Sequence, residues 1–354
     1  MSILELARPE IRSLKAYSPA ARRANCVRLN ANESPWPRMG VSPLLNRYPE
    51  SRSATLTAML ADYFGVGNDH VLVTRGSDDA IDLLVRAFCI AGTDSIMAPV
   101  PGFGMYALAA RIQGANVIDL QLDPAKSFAV TCDDVLDAWR PGCKLVFLCS
   151  PNNPTGSLMP RKEIETICTA LAGKSLVVLD EAYIEFASAA SMVNLVREYS
   201  NLVVLRTMSK AHALAASRVG ALVASPEVVR LLSPVLPPYP LPADSQKRAV
   251  AALRPAARAE TAKCINRTLL ERERLSRALS ALPSVTRVWP SEGNFVLVQT
   301  CGARAFLRRC EDHQVLIRDI SDDGPLRDCV RVTVGTSEEN AALLSALSGL
   351  ANAS

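Results

Sequence analysis

Between residues 70 and 225 the chain repeats one pattern: a short, unbroken apolar run, then a longer stretch with helical spacing. The runs fall at residues 70–74, 95–98, 116–120, 144–148, 175–179, 201–205 and 219–223, with helical stretches between them at 78–91, 103–113 and 161–172. Strands that are apolar on both faces can be hidden only inside a sheet covered on both sides, and parallel neighbours need a crossover long enough to hold a helix. The pattern predicts an α/β fold: a large domain whose mostly parallel sheet is flanked by helices. In such sheets ligands gather beyond the carboxyl ends of the strands. The residues just after each apolar run are therefore the first candidates for chemistry.

The pattern stops at residues 233–242, Ser-Pro-Val-Leu-Pro-Pro-Tyr-Pro-Leu-Pro, where proline removes backbone donors and fixes φ. A long Arg- and Ala-rich helical stretch is expected at 243–281, followed by short strands at 285–289, 294–299, 315–318 and 330–334. Helices at 302–313 and 337–350 interleave with them, giving a smaller α+β domain. The expected division is an N-terminal arm joining the small domain (1–32), a large domain (33–240) and a small domain (241–354).

Composition excludes several classes of function. A net charge of +4 without a block of like charges, and only 5% aromatic residues, argue against nucleic acid. No run is long enough to span a bilayer, and the first ten residues lack the apolar core of a signal peptide. A soluble, cytoplasmic protein is expected. The ten cysteines form no C-x-x-C pair, and several sit inside apolar runs, as Cys149 does; reduced, mostly buried thiols are expected. His70, His212 and His313 are far apart, so no metal site is expected.

The candidate chemistry centres on Lys210, in Thr-Met-Ser-Lys after the run at 201–205. A lysine there is either a solvated surface charge or an imine-forming amine. Ser209 before it and Arg218 two turns on offer a hydroxyl and a guanidinium to a phosphate dianion. An aldehyde cofactor that carries a phosphate, pyridoxal 5'-phosphate, suits that set. Asp180, at the end of another run, either caps the next helix or pairs with the pyridine nitrogen of such a cofactor and keeps it protonated. Tyr183 and Asn153 can both hydrogen-bond the ring's phenolate oxygen, although Asn-Pro-Thr-Gly stretches are commonly plain turns. Gly76, Ser77 and Asp78 join strand to helix, either as an N-cap or as a phosphate seat. Phe103 is either core or a stacking face. Arg331 and Arg318, in alternating strands, either snorkel to solvent or grip an anion bidentately.

With these residues in place the chain resembles the fold-type I pyridoxal-phosphate aminotransferases, and within them the histidinol-phosphate aminotransferase family. The resemblance runs nearly end to end. It rests on the motifs at 14–23, 29–33 (Leu-Asn-Ala-Asn-Glu), 47–50 (Arg-Tyr-Pro-Glu), 76–78, 151–156 (Pro-Asn-Asn-Pro-Thr-Gly), 178–186, 209–211, 291–295 and 330–335. It implies a homodimer in which Tyr48 reaches the neighbour's cofactor phosphate and the arm carrying Tyr17 covers the substrate. Lys210 would be imine partner and proton shuttle, Asp180, Asn153 and Tyr183 would tune the ring, and Phe103 would stack on it. Gly76, Ser77, Asp78, Ser209 and Arg218 would seat the phosphate, while Tyr17, Asn32, Arg318 and Arg331 would hold substrate. The implied reaction is amino transfer between L-histidinol phosphate and 2-oxoglutarate. The chain departs from the family where Phe-Gly-Leu-Ala-Gly-Leu-Arg becomes His-Ala-Leu-Ala-Ala-Ser-Arg at 212–218, and where Pro-Thr-Tyr becomes Pro-Gly-Phe at 101–103. Aromatic amino acid aminotransferases and threonine-phosphate decarboxylases share the same scaffold and remain alternatives.

Overall fold

The computed structural model describes residues 3–17, 21, 26–37 and 45–348; of the motif at 14–23, residues 18–20, 22 and 23 lie outside the described residues. Seven strands form one sheet: β1 (Val71–Thr74), β2 (Ser95–Val100), β3 (Asn116–Gln121), β4 (Cys143–Cys149), β5 (Leu176–Asp180), β6 (Leu202–Thr207) and β7 (Gly220–Ala224). Their order is β1-β7-β6-β5-β4-β2-β3. Neighbours from β3 through β6 pair in parallel, and β7 runs antiparallel to both β6 and β1. Strands β5, β6 and β7 are buried at every position, as their uninterrupted apolar sequences require, whereas the edge strand β3 is largely open. Helix Ser77–Phe88 covers one face and buries Ile81, Leu83, Leu84 and Phe88 completely. Each such side chain contributes roughly 1.5–3 kcal/mol relative to exposure.

This topology sets where function can lie. Strands β1, β2, β4, β5 and β6 all point the same way, so residues 75–78, 101–106, 150–156, 180–183 and 207–210 emerge at one edge of the sheet. Because β7 returns antiparallel, its leading residue Arg218 starts at that same edge.

A second sheet, ordered β10-β11-β9-β8, is built from β8 (Val285–Val288), β9 (Phe295–Thr300), β10 (Arg318–Asp319) and β11 (Cys329–Thr333). Alternation assigns its two faces. Val296, Val298, Val330 and Val332 face a core shared with helices Pro255–Ser280, Ala303–Asp312 and Ser337–Leu347. Leu297 and Cys329 face the other way, into a cluster with the large sheet's Val177 and Leu179. Arg331 lies two residues beyond Cys329 and shares that face, which turns it toward the large sheet.

Four details differ from the sequence expectation. The helical stretch at 243–281 is two helices, Ala243–Ala252 and Pro255–Ser280, because Pro255 cannot donate and holds Arg254 extended (φ −65°, ψ 149°). The first of these packs with the large sheet, where Leu241, Ala249 and Leu253 join Leu56, Leu60 and Val71, so the large sheet's packing continues past residue 240. The arm's opening residues Ile3, Leu6 and Ala7 also enter the core of the large sheet instead of the second one, and the Arg8 N–H donates to the Ala87 carbonyl (3.0 Å). The strand expected at 315–318 pairs only at Arg318 and Asp319. Val315 and Ile317 still point inward and Leu316 outward, but they lie beyond the reach of the β11 ladder.

Candidate active site

At the shared strand edge lies a cleft of about 580 Å³. It is lined by Ser77, Asp78, Phe103, Asn153, Asp180, Tyr183, Ser209, Lys210 and Arg218, together with Cys149, Ala182, Thr207 and Ala215. Nine residues singled out from the sequence therefore converge on one cavity.

Asp180 forms the floor. It ends β5 and is 2% exposed; its Oδ2 accepts from the Tyr106 hydroxyl (2.8 Å) and its Oδ1 from the Ala182 N–H (3.1 Å). Burial raises its carboxyl to about 6, against the two hydrogen bonds, which pull it down. A buried acid so placed is ready to accept a cation. The next residue, Glu181, is fully buried and tied to Arg206, Ser191 and the Met192 N–H, so the floor is anchored from beneath as well.

Lys210 opens into the cleft with its Nζ 5.5 Å from the Tyr183 ring centroid. Burial lowers its ammonium from the ordinary lysine range, helped by the like charges of Arg331 and Arg218 and opposed by Asp78 and Asp180. A lysine shifted this way holds more of the neutral amine that nucleophilic attack on a carbonyl needs. Burial likewise pushes the Tyr183 hydroxyl up, so it remains a donor.

The other end of the cleft is built for an anion. Arg218 donates to Ser209 Oγ (3.3 Å), the Ala215 carbonyl (3.1 Å) and Asp78 Oδ2 (3.0 Å). The Arg218–Asp78 pair is nearly half exposed, so it contributes at most about 1 kcal/mol and can yield to a phosphate. The Thr207 hydroxyl accepts from the Ser209 N–H (3.2 Å) and donates to its Oγ (3.0 Å). Gly76 precedes the helix Ser77–Phe88 with φ 85°, and no side chain caps that helix, which leaves first-turn N–H groups available. A Cβ at Gly76 would stand 2.8 Å from Arg218 Nη2, and one at Gly220 would stand 2.6 Å from the Gly76 carbonyl carbon. Only glycine permits this approach. The amine, the buried acid and the phosphate seat together fit pyridoxal 5'-phosphate.

Arg331 reaches the site from the second sheet, its Nη1 donating to Asn153 Oδ1 (2.5 Å) and its guanidinium lying 5.6 Å from the Phe295 ring centroid. The turn at 151–156 is itself tied to that sheet, since Glu292 N–H donates to the Gly156 carbonyl (2.9 Å). Arg318 is directly opposite Arg331 in the ladder but exposed. Six expected residues are not among those lining this cleft: Gly76, Arg318 and Arg331, placed above, and Tyr17, Asn32 and Tyr48. Tyr17 is 69% exposed, Asn32 is exposed with φ 54°, and Tyr48 stacks on Tyr239 (4.6 Å). Tyr48 is held there by Glu33, which accepts from its N–H (2.7 Å) and from Arg47 (2.9 Å) and Arg28 (2.8 Å).

Tyr106, Cys149 and Thr207 were missed by sequence reasoning. Tyr106 follows Phe103 by one helical turn, a spacing that places two side chains on one face and gave the available signal. Cys149 is the last residue of an apolar strand and reads as core; Thr207 carries no distinguishing pattern.

Among the described residues no helix is long and apolar enough to cross a membrane, and no group of three His, Cys, Asp or Glu is placed to hold a metal ion. Residues 15–347 match the family Aminotransferase class I and II. A histidinol-phosphate aminotransferase of Stenotrophomonas maltophilia (strain R551-3) is 44% identical over 351 residues, which cover 98% of this chain and 96% of that protein. The solved structure of histidinol-phosphate aminotransferase from Sinorhizobium meliloti in complex with pyridoxal-5'-phosphate has a TM-score of 0.78 at 24% identity, covering 85% of this chain and 82% of that one. That of L-threonine-O-3-phosphate decarboxylase from Porphyromonas gingivalis gives 0.72 at 26%, covering 85% and 89%. A family match over nearly the whole length, joined to this cleft, shows that the chain belongs to the aminotransferase class I and II family.

Proposed function

We propose that the protein is a pyridoxal-phosphate-dependent histidinol-phosphate aminotransferase that exchanges an amino group between L-histidinol phosphate and 2-oxoglutarate. The observation that carries this reading is the convergence of Lys210, Asp180, Asn153, Tyr183 and Arg218 on one cleft, in a chain 44% identical to a protein of that name.

When bound, pyridoxal 5'-phosphate supplies an aldehyde that links to an amine and an electron-withdrawing ring. Ser209, Arg218 and the N–H groups around Gly76, Ser77 and Asp78 would hold its phosphate. Asp180 would hold a proton on the ring nitrogen, Asn153 and Tyr183 would bond the ring oxygen, and Phe103 would cover one face. Lys210 would be the covalent anchor, and its amine, once released, would carry the proton from the substrate's α-carbon. Arg331, with Arg318 opposite it, would bind the anion of either substrate. Histidinol phosphate bears a phosphorylated carbinol where glutamate bears its α-carboxylate, so one cationic site serves both. In a homodimer Tyr48 would reach the partner's cofactor phosphate, and the arm carrying Tyr17 would cover the substrate.

A panel of amino donors with 2-oxoglutarate tests the reading. Histidinol phosphate is expected to give the highest kcat/KM, and glutamate is expected to bleach the visible band of the loaded protein. Release of CO₂ from threonine phosphate without an oxo acid would instead favour the decarboxylase reading, which the 26% identical structure raises.

A further inference from the structure

We propose that Tyr106 is the positioning residue for the acid of the site: its hydroxyl fixes Asp180 in the orientation and ionised form needed to hold a protonated ring nitrogen. The inference rests on the pyridoxal-phosphate reading above. Tyr106 is fully buried and donates to Asp180 Oδ2 at 2.8 Å, while the Ala182 N–H donates to Oδ1 at 3.1 Å. Each carboxylate oxygen thus has one internal donor and keeps lone-pair capacity for the cleft.

The tyrosine ring is itself immobilised. It stacks on Phe147 of β4 (4.7 Å between centroids, 12° between planes) and meets Phe103 edge-on (5.6 Å, 83°). One side chain therefore fixes the acid below the cofactor position and touches the residue assigned to its face. The Cys149 thiol beside it donates to the Pro151 carbonyl (3.3 Å), so its proton is committed elsewhere.

The charged and titratable groups facing Asp180 come from several elements: Tyr106 on the helix Met105–Gln113, Cys149 on β4, Asp78 on the helix Ser77–Phe88, Tyr183 after β5 and Lys210 after β6. Burial raises the carboxyl, Asp78 adds to that, and the Tyr106 hydroxyl is the foremost group opposing it. Burial also pushes the phenol well above 10, so it stays a donor across the working pH range.

The test is Tyr106→Phe, which removes the hydroxyl and keeps the stack. With ring-¹⁵N-labelled pyridoxal 5'-phosphate bound, the ring nitrogen is expected to lose its proton at least about one pH unit lower than in the wild type. The cofactor dissociation constant is expected to rise about tenfold, with kcat falling ten- to a hundredfold and the glutamate KM within about twofold. In an Asp180→Asn background the same substitution should add nothing to the cofactor's dissociation constant. Phe147→Leu, which loosens the stack but keeps the hydroxyl, should lower Tm and leave the nitrogen titration in place. Identical titrations and cofactor affinities for wild type and Tyr106→Phe would overturn the role of Tyr106 alone, and so would a Phe147→Leu protein that reproduces the Tyr106→Phe titration. A wild-type protein that binds no pyridoxal phosphate would overturn the reading of the whole site.

Discussion

The floor of the cleft and the described residues of the stretch 27–48 are built on opposite terms. On the floor, both carboxylate oxygens of Asp180 find donors within the same chain, and the surrounding residues of β4, β5 and β6 are buried. Among the described residues of the stretch 27–48, Val27, Leu29 and Trp36 are 88%, 87% and 79% exposed, and Tyr48 is half exposed. Apolar side chains that open to water in one stretch mark a surface made to be covered. Yet this stretch keeps local order, because the Glu33 carboxylate, with a side chain only 2% exposed, binds both Arg28 and Arg47. The difference sets a site whose acid is satisfied within one chain against an apolar stretch that the proposed homodimer would cover.

The comparison can be broken first at Lys210. Lys210→Ala is expected to lower kcat by about five orders of magnitude while cofactor still binds through the phosphate seat; a variant that turns over normally would remove the floor from the mechanism. The second effect is one of stability. The folded carboxyl of Asp180 lies near 6, above its unfolded value of 3.8, so the folded protein binds the extra proton between those limits. Stability from this group is therefore present at low pH and lost as pH rises from about 4 through 6, by on the order of 3 kcal/mol. Thermal melts of cofactor-free protein should show Asp180→Asn gaining on the wild type over that window, and added cofactor should offset the wild-type loss.

Arg331→Ala sharpens the boundary between the regions, since this residue spans from the second sheet to Asn153. A drop of about a hundredfold in kcat/KM is expected in both half-reactions, and a defect confined to glutamate would contradict a shared anion site. The stretch 27–48 should respond more gently. Tyr48→Phe is expected to weaken cofactor binding about tenfold, and mixing it with Lys210→Ala chains should restore one sound site per mixed dimer. The smallest effect is expected in the loop after Lys210. Ala213, where the family has glycine, adopts φ 53°, so Ala213→Gly should stabilise the fold by about 1 kcal/mol in chemical denaturation. Ala216, the other replaced glycine, lies in the 3-10 turn Ala215–Ser217 and is not among the residues with positive φ, so the same change there should gain nothing.

What was legible in the sequence followed from local rules. Continuous apolar runs gave all seven strands of the large sheet to within a residue or two, and chemistry at their carboxyl ends followed from the parallel order. The residues placed on the floor were each adjacent to such a run. Less legible were features set by packing between distant segments. Tyr106 reads as one more apolar position on a helix, and its partner lies 74 residues away. That helix Ala243–Ala252 joins the large sheet's core was not legible, because a proline-rich boundary says where regular structure stops, not which core the next helix will join. The roles of Tyr17, Asn32 and Tyr48 could not be read from one chain's contacts, since their side chains face outward.

The return of β7 beside β6 has a mechanical outcome. Met208 N–H donates to the Val219 carbonyl (3.0 Å), and Thr207 pairs with Gly220. The intervening segment, with Lys210 near one end and Arg218 near the other, is thereby a closed ring of backbone. Amine and guanidinium sit on that one ring, so a ligand gripped at both ends would be measured against a ruler whose backbone does not pass through the second sheet.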